Sequence, residues 1–268
     1  MSTDSRTSPA AATRQAWVEQ IMGMPISIHL RGRHGEAERR AAVEAVYDEL
    51  RAVDSTFSTY REDSDVRALD RGEVTVGQCD PTVREVLDLC ETARVRTDGY
   101  FDIWLPDAEG VVHLDPSGLV KGWAAERAAA RLAALPGDDH YLNAGGDIAL
   151  RSSGDAPWRI GVEHPDRPGG LLGVLPLTGG GIATSGTAQR GAHIVDPTTG
   201  RATTEIRSVT VVGPSLMWAD VYATTACARG ADGFDWLAGQ DSYESLVLFA
   251  DGRTAMTAGM KELLQPAQ

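Results

Sequence analysis

The sequence predicts an α+β fold, because helical and strand patterns are grouped along the chain instead of alternating strictly. After a first strand-like stretch, apolar residues recur at helical spacing from about residue 36 to 135. Beyond that point, short apolar runs are punctuated by Gly, Pro or Asp, as in a sheet. One domain is expected over residues 17–268, after a small, polar lead-in at 1–16 that reads as disordered.

WVEQIMGMPISIHL (17–30) alternates well enough to read as a strand, with Gly23 as a bulge or a point of close approach. A helix from about Glu36 to Val53 follows, with Val43, Val46, Leu50 and Val53 on one face. STFSTYREDSDVRAL (55–69) is polar and turn-like. Asp80 then caps a helix with Pro81 at its first position and Val83, Val86, Leu87 and Cys90 as its apolar stripe. A third, Ala-rich helix runs from about Val120 to Leu135 and is closed by Pro136-Gly137. YLNAGGDIALRS (141–152), WRIGVEH (158–164), LLGVLPLT (171–178), GGIATSG (180–186), AHIVD (192–196) and SVTVVG (208–213) read as strands. SLMWADVYATTACARG (215–230) is a helix capped by Ser215 and stopped by Gly230, and SYESLVLFADG (242–252) is a last strand with its turn.

With 268 residues, 42 % of them hydrophobic, the chain can bury a sizeable core. Its formal charge of −13 repels nucleic acid and anionic lipid, so a phosphorylated small ligand would need a local cation, from Lys or Arg or from a metal. Three cysteines without C-x-x-C spacing suggest neither disulfides nor zinc and suit a reducing cytoplasm. No export signal is visible at the N-terminus. Residues 168–189 are uncharged, yet their Gly and Pro content reads as strand and turns rather than a membrane span. No G-x-S-x-G, H-E-x-x-H, P-loop or Rossmann fingerprint occurs.

Several short stretches could carry chemistry. Asp220 and Thr224 are four apart on the predicted helix and offer hard oxygens of the kind Mg²⁺ prefers, although such a pair also fits a solvated Asp beside a packed Thr. Asp115, Gly118 and Lys121 surround a helix entry, where free N–H groups and a Lys favour an anion, or where an ordinary Asp-Pro turn would sit. NAGGD (143–147) and GGGIATSG (179–186), with Thr184 and Ser185, could cradle phosphate or simply turn. Tyr100, Phe101 and Asp102 fit core aromatics, or a stacking surface for a planar ring. His193 stands in the short run AHIVD, separated by two residues from an Asp-Pro.

The order of these stretches is more informative than any one of them. MGM (22–24), FSTYREDSDV (57–66), TDGYFD (97–102), LDPSGLVKGWAAER (114–127), NAGGDI (143–148), IATSG (182–186), HIVDPTTG (193–200) and ADVYATTA (219–226) follow the serial pattern of the ApbE-type FAD:protein FMN transferases. The resemblance spans about residues 20–255. It implies an ApbE-like α+β fold of two related halves, with antiparallel sheets flanked by helices. By the same resemblance, His193 is the catalytic histidine that activates the acceptor hydroxyl. Gly118, through its carbonyl, Asp220 and Thr224 hold Mg²⁺. Asp115 and Lys121 contact FAD, and Met22, Tyr60, Tyr100, Phe101, Asp102 and Ser185 line the flavin site.

The implied reaction is Mg²⁺-dependent transfer of FMN from FAD to a Ser or Thr of a partner flavoprotein, with AMP released. FAD hydrolysis to FMN and AMP, or FAD binding without turnover, would use the same pocket. The chain is shorter between Asp102 and Asp115 than is usual in the family, so the pocket wall formed there is expected to be missing.

Overall fold

A computed structural model describes residues 13–107, 109–153, 156–187, 194–197 and 199–267. In chain order these form β1 (Thr13–Ile21), β2 (Met24–Gly32), α1 (Glu36–Phe57), α2 (Asp65–Asp70), α3 (Pro81–Arg96), β3 (Trp104–Pro106), β4 (Val112–Leu114) and α4 (Ser117–Ala130). There follow β5 (Asp139–Ala144), β6 (Asp147–Arg151), β7 (Trp158–Glu163), β8 (Leu171–Leu177), β9 (Gly179–Ser185), β10 (Val195–Asp196), β11 (Arg201–Ala202) and β12 (Ile206–Gly213). The remaining elements are α5 (Leu216–Arg229), α6 (Gly233–Leu237), β13 (Glu244–Phe249), β14 (Thr254–Met256) and α7 (Ala258–Leu263).

One eight-stranded sheet organises the molecule, in the order β1-β2-β5-β6-β9-β12-β13-β14. Every neighbouring pair in it is antiparallel. The mixed α+β class with antiparallel sheets is therefore as the grouped pattern predicts. Side chains alternate between two faces. Ala149, Ala183 and Val211 face the large core beneath the helices, whereas Ile148, Leu150, Ile182 and Val212 face a smaller core that includes Trp158 and Leu175 of the separate β7–β8 ribbon and Met260 of α7. Residues 168–189 supply β8 and β9, and among the described residues no helix is long and apolar enough to cross a membrane. Cys79, Cys90 and Cys227 are free thiols.

Several expected boundaries move for identifiable reasons. The single strand read at 17–30 is a hairpin, because Met22 and Gly23 both take positive φ (56° and 71°), the backbone of a tight two-residue turn. YLNAGGDIALRS likewise folds back at Gly145-Gly146, which donates Gly146 N–H to the Asn143 side chain (2.8 Å). α1 continues past Val53 to Phe57, whose ring is buried. The polar stretch 55–69 contains α2, capped by Ser64 accepting from Arg67 N–H (3.1 Å). α4 starts at Ser117 rather than Val120, since Asp115 Oδ1 accepts from Ser117 N–H (2.9 Å), and it ends in a 3-10 turn at Arg131–Ala134. Asp80, Ser215 and Gly230 cap their helices as read. The lead-in expected at 1–16 lies outside the described residues up to residue 12, and Thr13 to Ala16 belong to β1.

α4 and α5 pack on each other and on the central strands, and small residues make that approach possible. A Cβ at Gly122 would sit 2.9 Å from the Met217 Cα and 3.3 Å from Asp220 Oδ2. A Cβ at Gly181 would run into the Leu216 backbone. Gly122→Val should therefore push α5 from α4, lowering unfolding free energy by about 1–3 kcal/mol in urea titration. An unchanged midpoint would show that the interface has slack.

Candidate functional site

A cleft of about 2160 Å³ opens between the helices and the middle of the sheet. This exceeds the ~300–1,000 Å³ usual for small-molecule pockets and suits an extended, dinucleotide-sized ligand. It is lined by Met22, Tyr60, Tyr100, Phe101, Asp102, Asp115, Gly118, Lys121, Ser185, Asp220 and Thr224, so all the predicted site residues that the structure describes meet in one place. His193 lies outside the described residues. Ile194, Val195 and Pro197, which follow it, line the same cleft.

The floor is a ring of polar contacts across four elements. Lys121, on α4, sends its ammonium to Asp147 Oδ2 at 2.5 Å and to Asp220 Oδ1 at 3.5 Å. Asp147, at the head of β6, also accepts from the backbone N–H of Thr184 on β9 (3.1 Å). Ser185, next in β9, is hydrogen-bonded to Thr224 (3.1 Å), which stands one turn from Asp220 on α5. Asp147 and Asp220 are only 1 % and 2 % exposed. Buried charge is costly unless paired, and here two carboxylates accompany one ammonium.

Asp220, Thr224 and the Gly118 carbonyl are hard oxygen donors of the kind Mg²⁺ takes when phosphate and water complete its octahedron. Among the described residues no group of three or more His, Cys, Asp or Glu is arranged to hold a metal, so the candidate donors here are one carboxylate, one hydroxyl and one carbonyl. Hard oxygens of this kind fit a cation.

The walls are aromatic and locally braced. Phe101 is buried, and its ring closes on Gly118, where a Cβ would lie 3.3 Å from Cε2. Tyr100 carries the Arg229 guanidinium over its ring at 4.2 Å, and Arg229 is held by the Thr97 carbonyl and Asp98. Asp102 Oδ1 accepts from Trp104 N–H (3.0 Å), fixing a turn at the cleft edge. Tyr60 is 95 % exposed and Trp104 is 54 % exposed. Such aromatic surface facing a cleft marks a contact region rather than core.

The wall expected to be missing between Asp102 and Asp115 is present. The β3–β4 hairpin supplies it, with Trp104, Leu105, Pro106 and Asp107 on the lining. A short hairpin does this because His113 pins it: Nδ1 meets Asp70 at 2.9 Å and Nε2 meets Asp107 at 3.2 Å. Those hydrogen bonds, to Asp70 first and Asp107 second, raise the His113 pKa above its ordinary 6.5.

Two participants escaped the sequence reading. Asp147 stands in the NAGGDI motif and Gly122 in LDPSGLVKGWAAER, but neither carries a role of its own there. A polar residue opening a buried strand could have flagged the first, and a glycine in an Ala-rich helix the second.

Comparison with known proteins bears on the family and the fold. The profile of the ApbE family matches residues 22–109 and 104–247. A FAD:protein FMN transferase of Rhodobacter capsulatus is 30 % identical over 167 residues, covering 59 % of this chain and 32 % of the relative. One of Haemophilus influenzae is 30 % identical over 134 residues, covering 45 % of this chain and 39 % of the relative. The matched stretches thus span well under half of those relatives' lengths. Among solved structures, an ApbE protein of Thermotoga maritima superposes with a TM-score of 0.83 at 20 % identity. The flavin transferase ApbE of Vibrio cholerae gives 0.79 at 23 % identity. Each covers 94 % of this chain and 100 % of its own, and at these identities the likeness is one of fold.

The His113 clamp carries a pH dependence. A histidine whose folded pKa is raised contributes fully below its unfolded value and loses that contribution as pH climbs through the folded value. After correction for intrinsic exchange, the amides of β3 and β4 should lose protection as pH rises above 6.5. His113→Gln should flatten that profile; equal profiles would exclude the clamp.

Proposed function

The chain belongs to the ApbE family, and on that footing we propose that it transfers FMN from FAD to a Ser or Thr hydroxyl of a partner protein, with Mg²⁺ required and AMP released. The observation that carries this reading is the convergence of Lys121, Asp220, Thr224 and Ser185 on the floor of one aromatic-walled cleft. Free thiols at Cys79, Cys90 and Cys227 suit a cytoplasmic setting for the reaction.

The roles divide by chemistry. Met22, Tyr60, Tyr100 and Phe101 offer apolar and π surface to the isoalloxazine ring, and Asp102 and Asp115 offer acceptors to its polar edge and to the sugar hydroxyls. Lys121 sets positive charge against the diphosphate in a chain of formal charge −13. Asp220, Thr224 and the Gly118 carbonyl would hold Mg²⁺, which when bound offsets phosphate charge and stabilises the leaving oxygen. The acceptor oxygen attacks the FMN-side phosphorus, forming a phosphoester as the pyrophosphate bond to AMP breaks. His193 takes the hydroxyl proton; with a reference pKa of about 6.5 it is largely neutral and ready to accept near pH 7.

Purified protein incubated with FAD, Mg²⁺ and a candidate acceptor should add the mass of one FMN to an acceptor Ser or Thr and release one AMP. His193→Ala should slow this by roughly 10²- to 10⁴-fold while FAD fluorescence quenching persists. Free FMN and AMP with no adduct, whatever the acceptor, would make the protein an FAD hydrolase instead. FAD bound at full occupancy with no AMP under any condition would make it a carrier.

A further inference from the structure

Asp147 is not on the cleft surface, yet it makes the shorter contact to the cationic side chain of the floor. Lys121 Nζ is 2.5 Å from Asp147 and 3.5 Å from Asp220. Coulomb energy varies inversely with distance, so at equal screening the attraction to Asp147 is about 1.4 times the stronger. Asp147 is also immobilised: its other oxygen accepts from Thr184 N–H, and its strand begins directly after the Gly145-Gly146 turn. Asp220 is fixed by the close approach of α4 and α5 at Gly122. Lys121, with a flexible stem and partial exposure, is the member of the trio able to move.

We propose that Asp147 is a positioning residue for the cation site: it draws the Lys121 ammonium away from Asp220 and so leaves that carboxylate available to a divalent ion. Without Asp147, Lys121 and the ion compete for a single carboxylate. With it, the ammonium rests on Asp147 and stays beside the diphosphate it is to oppose. The proposal rests on the metal-dependent reading above and adds a residue that neither the ion nor the flavin is expected to touch.

The test measures Mn²⁺ binding to flavin-free protein by electron paramagnetic resonance, with no turnover involved. Asp147→Asn should weaken binding by about 10- to 100-fold, the usual cost of losing a partner that orients a metal site. The double variant Asp147→Asn with Lys121→Met should recover to within a few-fold of wild type, because the competing ammonium is gone. A merely structural role for Asp147 would leave the double variant as weak as the single one. Lys121→Met alone should bind Mn²⁺ at least as tightly as wild type, which keeps the test decisive if Asp147→Asn fails to fold. Wild-type affinity in Asp147→Asn, absence of rescue, or loss of binding in Lys121→Met would each overturn the proposal while the metal-dependent reading stands. No Mn²⁺ binding by the wild type would overturn both.

Discussion

Two carboxylates buried under one ammonium are the constraint around which this molecule is arranged. Asp147 and Asp220 come from different layers, one from the sheet and one from a helix, and Lys121 arrives from a second helix. Holding such groups out of water is unfavourable unless their partners are placed within hydrogen-bonding reach. The close packing of α4 on α5, the small side chains Ala149 and Ala183 beneath them, and the turn before β6 all serve that placement. The cleft is what remains above the trio when these elements are in register.

An acidic chain has to confine its positive charge. Lys121 does so at the floor, and Arg207, on β12, lines the cleft while paired with Asp166. The flanking walls are built from aromatic faces and from carboxylates already tied into local turns, as at Asp102 and Asp115. The lining thus divides by type of surface, with aromatic rings on the walls and hard oxygens beside an ammonium at the floor.

Much of this was legible in the residues. Period and punctuation revealed the helices and the grouped strands, since amphipathic stripes and Gly or Pro breaks are local properties. The hairpin turn within 17–30 was not, because a two-residue turn at Met22-Gly23 lacks the Asn or Asp that advertises positive φ, whereas the turn at Gly145-Gly146 was one of the two readings NAGGD allowed. At the site, the ordered motifs led to eleven residues that share one cleft, whereas Asp147 and Gly122 matter only through partners distant in sequence. The β3–β4 wall escaped because its anchor, His113, finds one of its two carboxylates on α2, far back along the chain.

The span of the floor has a consequence for biosynthesis. Its contributors run from Gly118 to Thr224, and the strands that align them pair across long intervals, as β2 does with β5. Contacts of such separation form late, after the entropy of closing large loops has been met. A nascent polypeptide leaving the ribosome thus has no such floor until α5 has emerged and docked, so any ligand captured there would report a finished fold rather than guide its early steps.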